Sequence, residues 1–337
     1  MLFFVKTDKD SDCLKETPNF KIEQVAASSY ATWEQIKLPQ AVKKHSLDFL
    51  HSTCNTSALS LSVPLILTVH DIIYLEKADF KGTAYQNFGN LYRRFVVPGV
   101  VKKSKVVITV SNYEKEVIKK RLSVPEEKIK VIYNAVNRKF NNNYPVDKVT
   151  DFKKKYNLPD EFILFLGNTS PKKNTHNVIL AYIAYCKAVN TPTPLVVLDY
   201  NKNLVEDMLT KTGDTDLINN FIFPGFIASD AMPLMYNTAT LFLYPSLRES
   251  FGLPILEAMG CNTPVITSNT SCMPEIAADA ALLIDPFSVQ EITDGIKLLL
   301  SDKKMREELS SKGLARAAEF SWKAAAEKLL DIYNQFE

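Results

Sequence analysis

The chain has 337 residues, 46% hydrophobic and 23% charged, a balance that excludes disordered, collagenous and coiled-coil proteins, and its length anticipates two domains. No apolar run reaches the roughly 18 residues of a membrane-spanning helix, and the opening MLFFVKTDKD is too short in its apolar part for a secretion signal. The net charge of +2 is unevenly divided: residues 1–145 carry 22 Lys/Arg against 14 Asp/Glu, a net +8, and the remainder carries a net −6. That front excess reads either as solvated lysines with no partner or as a surface for an anionic one: a membrane, a lipid phosphate or a nucleic acid. No nucleic-acid motif accompanies it. Five scattered cysteines without a Cys-x-x-Cys pair predict neither a disulfide framework nor a zinc site and fit a reducing cytoplasm.

Along the chain, short β-rich runs alternate with stretches of helical period, the pattern of parallel sheets with crossover helices. Strands are predicted over Leu2–Lys6, Lys21–Ala26, Asp48–His51, Leu65–His70, Lys105–Val110 and Lys130–Tyr133, with helices over Tyr85–Lys102 and Tyr113–Arg121. The polar stretch Asn141–Asp151 is the expected linker. The second half begins again with strands over Phe162–Leu166, Leu195–Leu198, Asn220–Phe223, Thr240–Tyr244, Pro264–Thr267 and Ala281–Ile284. Helices are predicted there over Thr175–Val189, Asn203–Thr212, Ala231–Asn237, Pro254–Met259, Val289–Ser301, Lys303–Glu319 and Trp322–Phe336. This is α/β: two Rossmann-like domains of similar size, whose ligands belong at the carboxyl ends of the strands and in the cleft between the domains.

Two segments carry the chemistry. In Tyr244-Pro-Ser-Leu-Arg-Glu-Ser-Phe-Gly-Leu-Pro-Ile-Leu-Glu-Ala-Met-Gly260 a strand ends, a loop follows, Pro254 opens a helix and Gly260 is placed to stop it. The amides of Ser250, Phe251, Gly252 and Leu253 then lie at a helix N-terminus, where free donors and the helix dipole bind phosphate, and Gly252 lets the backbone approach a bulky anion. Glu249 and Glu257 frame this loop. In Phe165-Leu-Gly-Asn-Thr-Ser-Pro-Lys-Lys-Asn174 a strand ends at Gly167, and Lys172 and Lys173 stand just before a helix, placed to neutralise a pyrophosphate.

At these segments the chain resembles the retaining, nucleotide-sugar-dependent glycosyltransferases called group 1, or family 4, whose fold is the two-domain GT-B architecture. Echoes in the family's order extend over nearly the whole chain: Thr68-Val-His-Asp71, Val110-Ser111, Val131-Ile-Tyr-Asn-Ala-Val-Asn137, Pro274-Glu275 and Asp279-Ala-Ala-Leu. The resemblance implies that Glu249 contacts the donor sugar, that Phe251, Gly252 and Leu253 hold sugar and phosphates, and that Glu257 binds the ribose. Lys173, with Lys172, stabilises the departing diphosphate, and His70 lies near the reacting centre. Asp71, Ser111, Asn134 and Phe226 complete the cleft, although capping and turn roles are the favoured account of Ser111 and Asn134. The donor is a GDP- or UDP-sugar co-substrate, with no further cofactor and no metal. An Asp-rich run, Asp8-Lys-Asp10-Ser-Asp12, falls in a front-domain loop rather than at a donor site. The domains implied are 1–145 for the acceptor and 146–319 for the donor, with 320–337 a helix crossing back to the first; that helix packing on its own domain is the alternative. Trp33 and the aromatic stretch Tyr85–Phe95 read as acceptor contacts or as core.

Three departures from the family pattern carry expectations. Asn168 stands where an arginine is common, and Ala135 replaces the glycine of an Asn-Gly-Val-Asp turn. The first strand, glycine-rich loop and helix of the front domain are missing, which predicts two unpaired strand edges, a poorly formed front domain and weak or absent transfer, with the donor half intact. The reading is therefore a hexosyltransferase, of mannose or a similar sugar, acting on a glycan or lipid-linked acceptor in cell-surface polysaccharide synthesis. It is expected in the cytoplasm, with peripheral contact to the inner face of an anionic membrane. The alternative is a non-catalytic sugar-nucleotide-binding or scaffold protein.

Overall fold

The computed structural model describes residues 1–7, 15–76 and 84–336, with the side chains of residues 84–86 left aside. The Asp8–Asp12 run and Cys13 therefore lie outside the described residues. The chain divides into two compact units, Met1–Ile132 with Glu327–Glu337, and Tyr133–Ala326. The division precedes the boundary expected at residue 145. The expected linker is partly helical, because Val146–Lys155 forms a helix that seats Phe152 in the second unit's interior.

In the second unit six strands form one parallel sheet: β7 (Ile163–Leu166), β8 (Leu195–Leu198), β9 (Phe221–Ile222), β10 (Leu241–Tyr244), β11 (Val265–Ser268) and β12 (Leu282–Ile284). Their order, β12-β11-β10-β7-β8-β9, places the first strand in the interior and reverses direction between β7 and β10. The strand sequences ILFL, LVVL and LFLY are apolar at every position because helices cover both faces of a parallel sheet. Helices Thr175–Ala188 and Val289–Ser301 bury Val178, Tyr182, Ile292 and Ile296 against one of them. Gly260 is the last residue of the Leu253–Gly260 helix rather than its stop. A Cβ there would come within 2.8 Å of the Phe140 carbonyl oxygen, so the glycine answers a close packing contact.

The first unit holds two parallel sheets. One pairs β1 (Leu2–Lys6) with β2 (Lys21–Val25). The other runs β3 (Leu50–Ser52), β4 (Leu65–Thr68), β5 (Val106–Thr109) and β6 (Ile129–Val131) in sequence order. Among the described residues β1 and β3 each pair on one side only. A shared core nevertheless runs beneath both sheets: Phe4 of β1 packs with Trp33 against Leu38, Val42, Leu50 and Leu67. Trp33 is thus part of the core. The loop between β2 and β3 also forms helical turns over residues 30–44 that the sequence pattern did not disclose.

The helix Trp322–Tyr333 starts in the second unit and ends in the first, where Leu329, Ile332 and Tyr333 pack on Ile66, Val106 and Ile108. Tyr333 is fixed by a 2.6 Å hydrogen bond to Nδ1 of His51, whose Nε2 meets the Thr68 hydroxyl at 2.8 Å. Burial, and secondarily the nearby His70, lower the His51 pKa from 6.5 to about 4. A histidine held neutral in the fold but free to protonate when unfolded makes stability fall as pH drops below 6.5, until about 4 is passed. Between pH 7 and 5 that loss is expected to be about 2 kcal/mol. Urea unfolding of the wild type and of His51→Gln at both pH values tests this. An equal loss in both proteins would assign the effect to another group.

Candidate functional site

The reversal of strand order between β7 and β10 makes their following loops part, and residues from both loops meet in the gap. From the β7 side, Gly167 turns the chain where a Cβ would meet that of Tyr200 at 2.6 Å, and its amide already bonds the Leu198 carbonyl at 2.8 Å. Gly167 is thus a packing residue whose amide is not available to a ligand. Asn168, in place of the common arginine, organises the loop. Its side-chain oxygen accepts from the Ser170 amide at 2.8 Å, and its backbone exchanges hydrogen bonds with the Thr175 hydroxyl. A 3-10 turn over Pro171–Lys173 follows, and Asn174 (φ 60°) begins the helix Thr175–Ala188. The Asn174 side chain is buried, donating to the carbonyls of Pro245 and Pro286 at 3.0 and 2.6 Å, which ties the loops after β7, β10 and β12 together.

This scaffold delivers Lys173 to Glu249, Nζ to Oε1 at 2.7 Å, and to the Tyr244 hydroxyl at 2.8 Å, with Nζ 4.9 Å from the Tyr244 ring centre. Glu249 is 9% exposed. Burial first, and the Glu249 carboxylate next, raise the Tyr244 pKa well above its ordinary value, so Tyr244 stays protonated, its hydroxyl oxygen accepting from Lys173. Lys172 is half-buried, and its carbonyl accepts from the Leu247 amide at 2.7 Å, a second link between the two loops. An ion pair this enclosed presents an ammonium and a carboxylate oxygen together, a combination suited to an anionic leaving group beside a hydroxylated ligand.

Beyond Glu249, Phe251 is buried against the rings of Tyr133 and Phe320, 6.0 and 5.8 Å away, and anchors the loop. Gly252 has φ +85° and precedes the helix Leu253–Gly260, with Pro254 in its first turn. Only glycine enters that conformation without strain. Among the described residues no backbone acceptor takes the amides of Phe251, Gly252 or Leu253. One turn into the helix, Glu257 accepts from the Tyr236 hydroxyl at 3.1 Å, and burial raises its pKa, with Tyr236 and the Lys139 charge pulling back.

Several partners here carried no signal in the sequence reading. Ser271, at φ 57°, donates its hydroxyl to the Glu249 carbonyl at 2.7 Å and accepts from the Glu249 amide at 3.1 Å; Cys272 Sγ reaches the same carbonyl at 3.2 Å. Arg248 also donates to that carbonyl at 2.6 Å. The Ser271 and Cys272 contacts fix the backbone of Glu249 from a loop 22 and 23 residues on, a closure that only the fold creates. Tyr133 donates to Glu275 at 2.8 Å, and Lys139 pairs with Asp230 at 3.0 Å.

The remaining expected residues are placed as follows within their own units. Phe226 is exposed on the second unit, and Asn134 is half-buried just after β6. Ala135 is buried and does not enter the left-handed region, so that turn needs no glycine. In the first unit Ser111 caps the helix Asn112–Leu122, accepting from the Glu114 amide at 3.1 Å. Asp71 accepts from the Ile73 amide at 3.2 Å at the start of a short helix. His70 is exposed after β4. Asn55 Oδ1 accepts from its amide at 2.8 Å, and its Nε2 lies 3.0 Å from the Thr53 carbonyl, an acceptor, so Nε2 is the donor of that pair. A separate groove of about 540 Å³, lined by Thr240, Pro264, Lys303 and Arg306, lies at the amino ends of β10 and β11, the opposite end of the sheet from the cluster.

The Ser271 clamp is open to test. Ser271→Ala is expected to destabilise the chain by about 1–2 kcal/mol in chemical denaturation. Ser271→Gly should recover part of that loss, because it removes the hydroxyl but relieves the positive φ. An Ala variant as stable as the wild type would show that the clamp contributes nothing.

Residues 147–316 match the family model of glycosyl transferases group 1, and residues 9–140 that of glycosyltransferase family 4. The O-antigen chain mannosyltransferase B of Escherichia coli is 29% identical over 232 residues, which are 68% of this chain and 61% of that protein. The serotype-specific mannosyltransferase WbdA of the same species is 29% identical over 274 residues, 80% of this chain and 33% of that protein. The chain thus spans between a third and two thirds of the length of these relatives. Among solved structures, sucrose-phosphate synthase from Thermosynechococcus elongatus superposes with a TM-score of 0.72 over 99% of this chain and 88% of that one, at 20% identity. Anabaena HepE in complex with UDP and glucose gives 0.73 over 93% and 86%, also at 20% identity. Two Rossmann-like units of the GT-B kind, together with both family matches, make this chain a member of the group 1 glycosyltransferases.

Proposed function

We propose that this chain is a retaining hexosyltransferase that moves mannose from a nucleoside-diphosphate sugar to a glycan or lipid-linked acceptor during the building of a surface polysaccharide. One observation carries the reading: Lys173, Glu249 and Tyr244 converge within 2.8 Å at the strand-order reversal, beside the helix that Gly252 opens. The mannosyltransferase names of the relatives support the sugar, and the UDP bound by the Anabaena neighbour supports a nucleotide donor.

In this scheme the bond from the anomeric carbon to the diphosphate oxygen breaks, and the acceptor hydroxyl bonds that carbon from the same face. The acceptor proton passes to the departing phosphate oxygen. The term to stabilise is the growing charge on the diphosphate. Lys173, Lys172 and the amides of Phe251 to Leu253 supply positive charge and donors for it, which is why we assign no metal or other cofactor to the step. Glu249 holds the sugar and keeps Lys173 aimed, and Glu257 accepts from the ribose. We assign the acceptor to the unit that carries His70 and Asp71, and place the enzyme in the cytoplasm against an anionic lipid surface.

Thermal shift with GDP-mannose, GDP, UDP-glucose and UDP tests the donor site. One nucleotide family should raise the midpoint, and Glu257→Ala should abolish the rise. Because burial raises the Glu257 pKa, nucleotide affinity is expected to weaken on acidification before ordinary carboxylates titrate, and Glu257→Gln should lack that step. A flat panel would point to the non-catalytic scaffold reading. For chemistry, Lys173→Ala and Glu249→Gln should each lower kcat by about 100- to 1000-fold in a nucleoside-diphosphate release assay. Unchanged turnover in both would remove the ion pair from the mechanism.

A further inference from the structure

The helix Ala84–Lys103 carries apolar residues on its outer face as well as its inner one. Val96, Val97, Val100 and Val101 point into the core of the first unit. The opposite face, at intervals of three, four, three and four residues, presents Phe88, Leu91, Phe95, Pro98 and Lys102. Phe88 is 65% exposed, Leu91 43% and Phe95 76%. Single exposed apolar residues need no account, but two phenylalanines and a leucine aligned outward on one helix form a ridge that water disfavours. From Phe88 to Lys102 the ridge is about 21 Å long.

A second feature lies at its end. Lys102, Lys103 and Lys105 are exposed where the helix finishes, and Lys130 is exposed on β6. Lys103 and Lys128 donate only to backbone carbonyls, of Leu59 at 2.7 Å and Lys102 at 2.9 Å. Among the described residues no carboxylate pairs with any of these five lysines; the nearby Glu126 is instead engaged by Lys115 and Lys119. The mutual repulsion and partial burial are visible in Lys128, whose pKa is lowered by desolvation and by Lys105. The whole lies in the half of the chain with net charge +8.

We propose that the Phe88–Leu91–Phe95 ridge and the lysine cluster around Lys102 form the surface by which this protein docks on an anionic lipid bilayer, the rings entering the headgroup boundary and the lysines meeting lipid phosphates. A protein partner or a second copy could cover the apolar ridge, but it would have no need of the unpaired cations beside it; a lipid surface uses both. This gives a location to the membrane contact in the function proposed above and is independent of the donor site.

The test uses the whole chain with vesicles of phosphatidylcholine, alone or with roughly one-third phosphatidylglycerol. Co-sedimentation is expected with the anionic vesicles only, weakening as salt rises from about 0.1 to about 0.5 M. The double variant Phe88→Ser/Phe95→Ser should bind at least about tenfold more weakly, as should Lys102→Gln/Lys105→Gln. Both should keep the wild-type thermal shift with nucleotide, which shows them folded. Absence of binding by the wild type, or binding indifferent to both variants, overturns the proposal. So does a wild-type dimer in light scattering that the serine variant converts to monomer, since the ridge would then be an interface between copies. A wild type that binds vesicles but no nucleotide would overturn the donor reading and leave this one standing.

Discussion

A parallel sheet whose first strand lies in its interior must send its chain outward in both directions, and in the second unit everything of chemical interest follows from that constraint. The loops after β7 and β10 leave in opposite senses, so the sheet cannot fill the space between their ends. Lys173 enters from one loop and Glu249 from the other, and their 2.7 Å contact is the bond across that opening. An enclosed ion pair is costly to desolvate and contributes little to stability by itself. Its persistence here depends on the surrounding hydrogen bonds: Tyr244 supports the ammonium, Asn174 joins three loops beneath it, and Ser271 holds the Glu249 backbone at both its amide and its carbonyl.

The same scaffold determines which glycines are constrained. Gly252 is required by its backbone angle, whereas Gly167 and Gly260 are required by neighbours that leave no room for a Cβ. Sequence pattern alone cannot tell these causes apart. Gly167, at a strand end before a lysine loop, has the appearance of an anion-binding glycine, yet its amide belongs to Leu198 and its missing side chain makes space for Tyr200.

Much of the fold was legible because burial leaves a local trace. Strands such as Leu195–Leu198 and Leu241–Tyr244 are apolar throughout, and the helix Val289–Ser301 carries its stripe at the expected interval, so they are found where the pattern puts them. The helical turns between residues 30 and 44 were not, since the buried Glu34 breaks their apolar pattern and is satisfied by Tyr30, Thr56 and Tyr92 through tertiary contacts. Val146–Lys155 hid for the converse reason. Its sequence, VDKVTDFKKK, is almost wholly polar and a single buried phenylalanine holds it down. In the site, Lys173 and Glu249 were legible as residue types in loops before helices. Ser271 and Cys272 were not, because their side chains act on backbone groups of Glu249 from a distant loop, and such contacts have no sequence signature.

The first unit shows how a single core can join two separate sheets. A β-sheet gains cooperativity from continuous hydrogen bonding, and the division between the β1-β2 pair and the four strands from β3 to β6 interrupts it. Side-chain packing does not follow that division. Phe4 reaches the cluster formed by Leu38, Leu50 and Leu67, and on the same unit Ile332 and Tyr333 of the last helix close over Ile66, Val106 and Ile108. Hydrophobic burial is non-directional, so it can bridge a gap that hydrogen bonds cannot. The polar contacts of the last helix then supply the direction that burial lacks: the neutral His51 accepts and donates only along fixed axes, and Tyr333 meets it in one orientation. A core that spans both sheets, locked by a histidine that must stay uncharged, accounts for a unit whose packing is continuous where, among the described residues, its two sheets share no strand pairing.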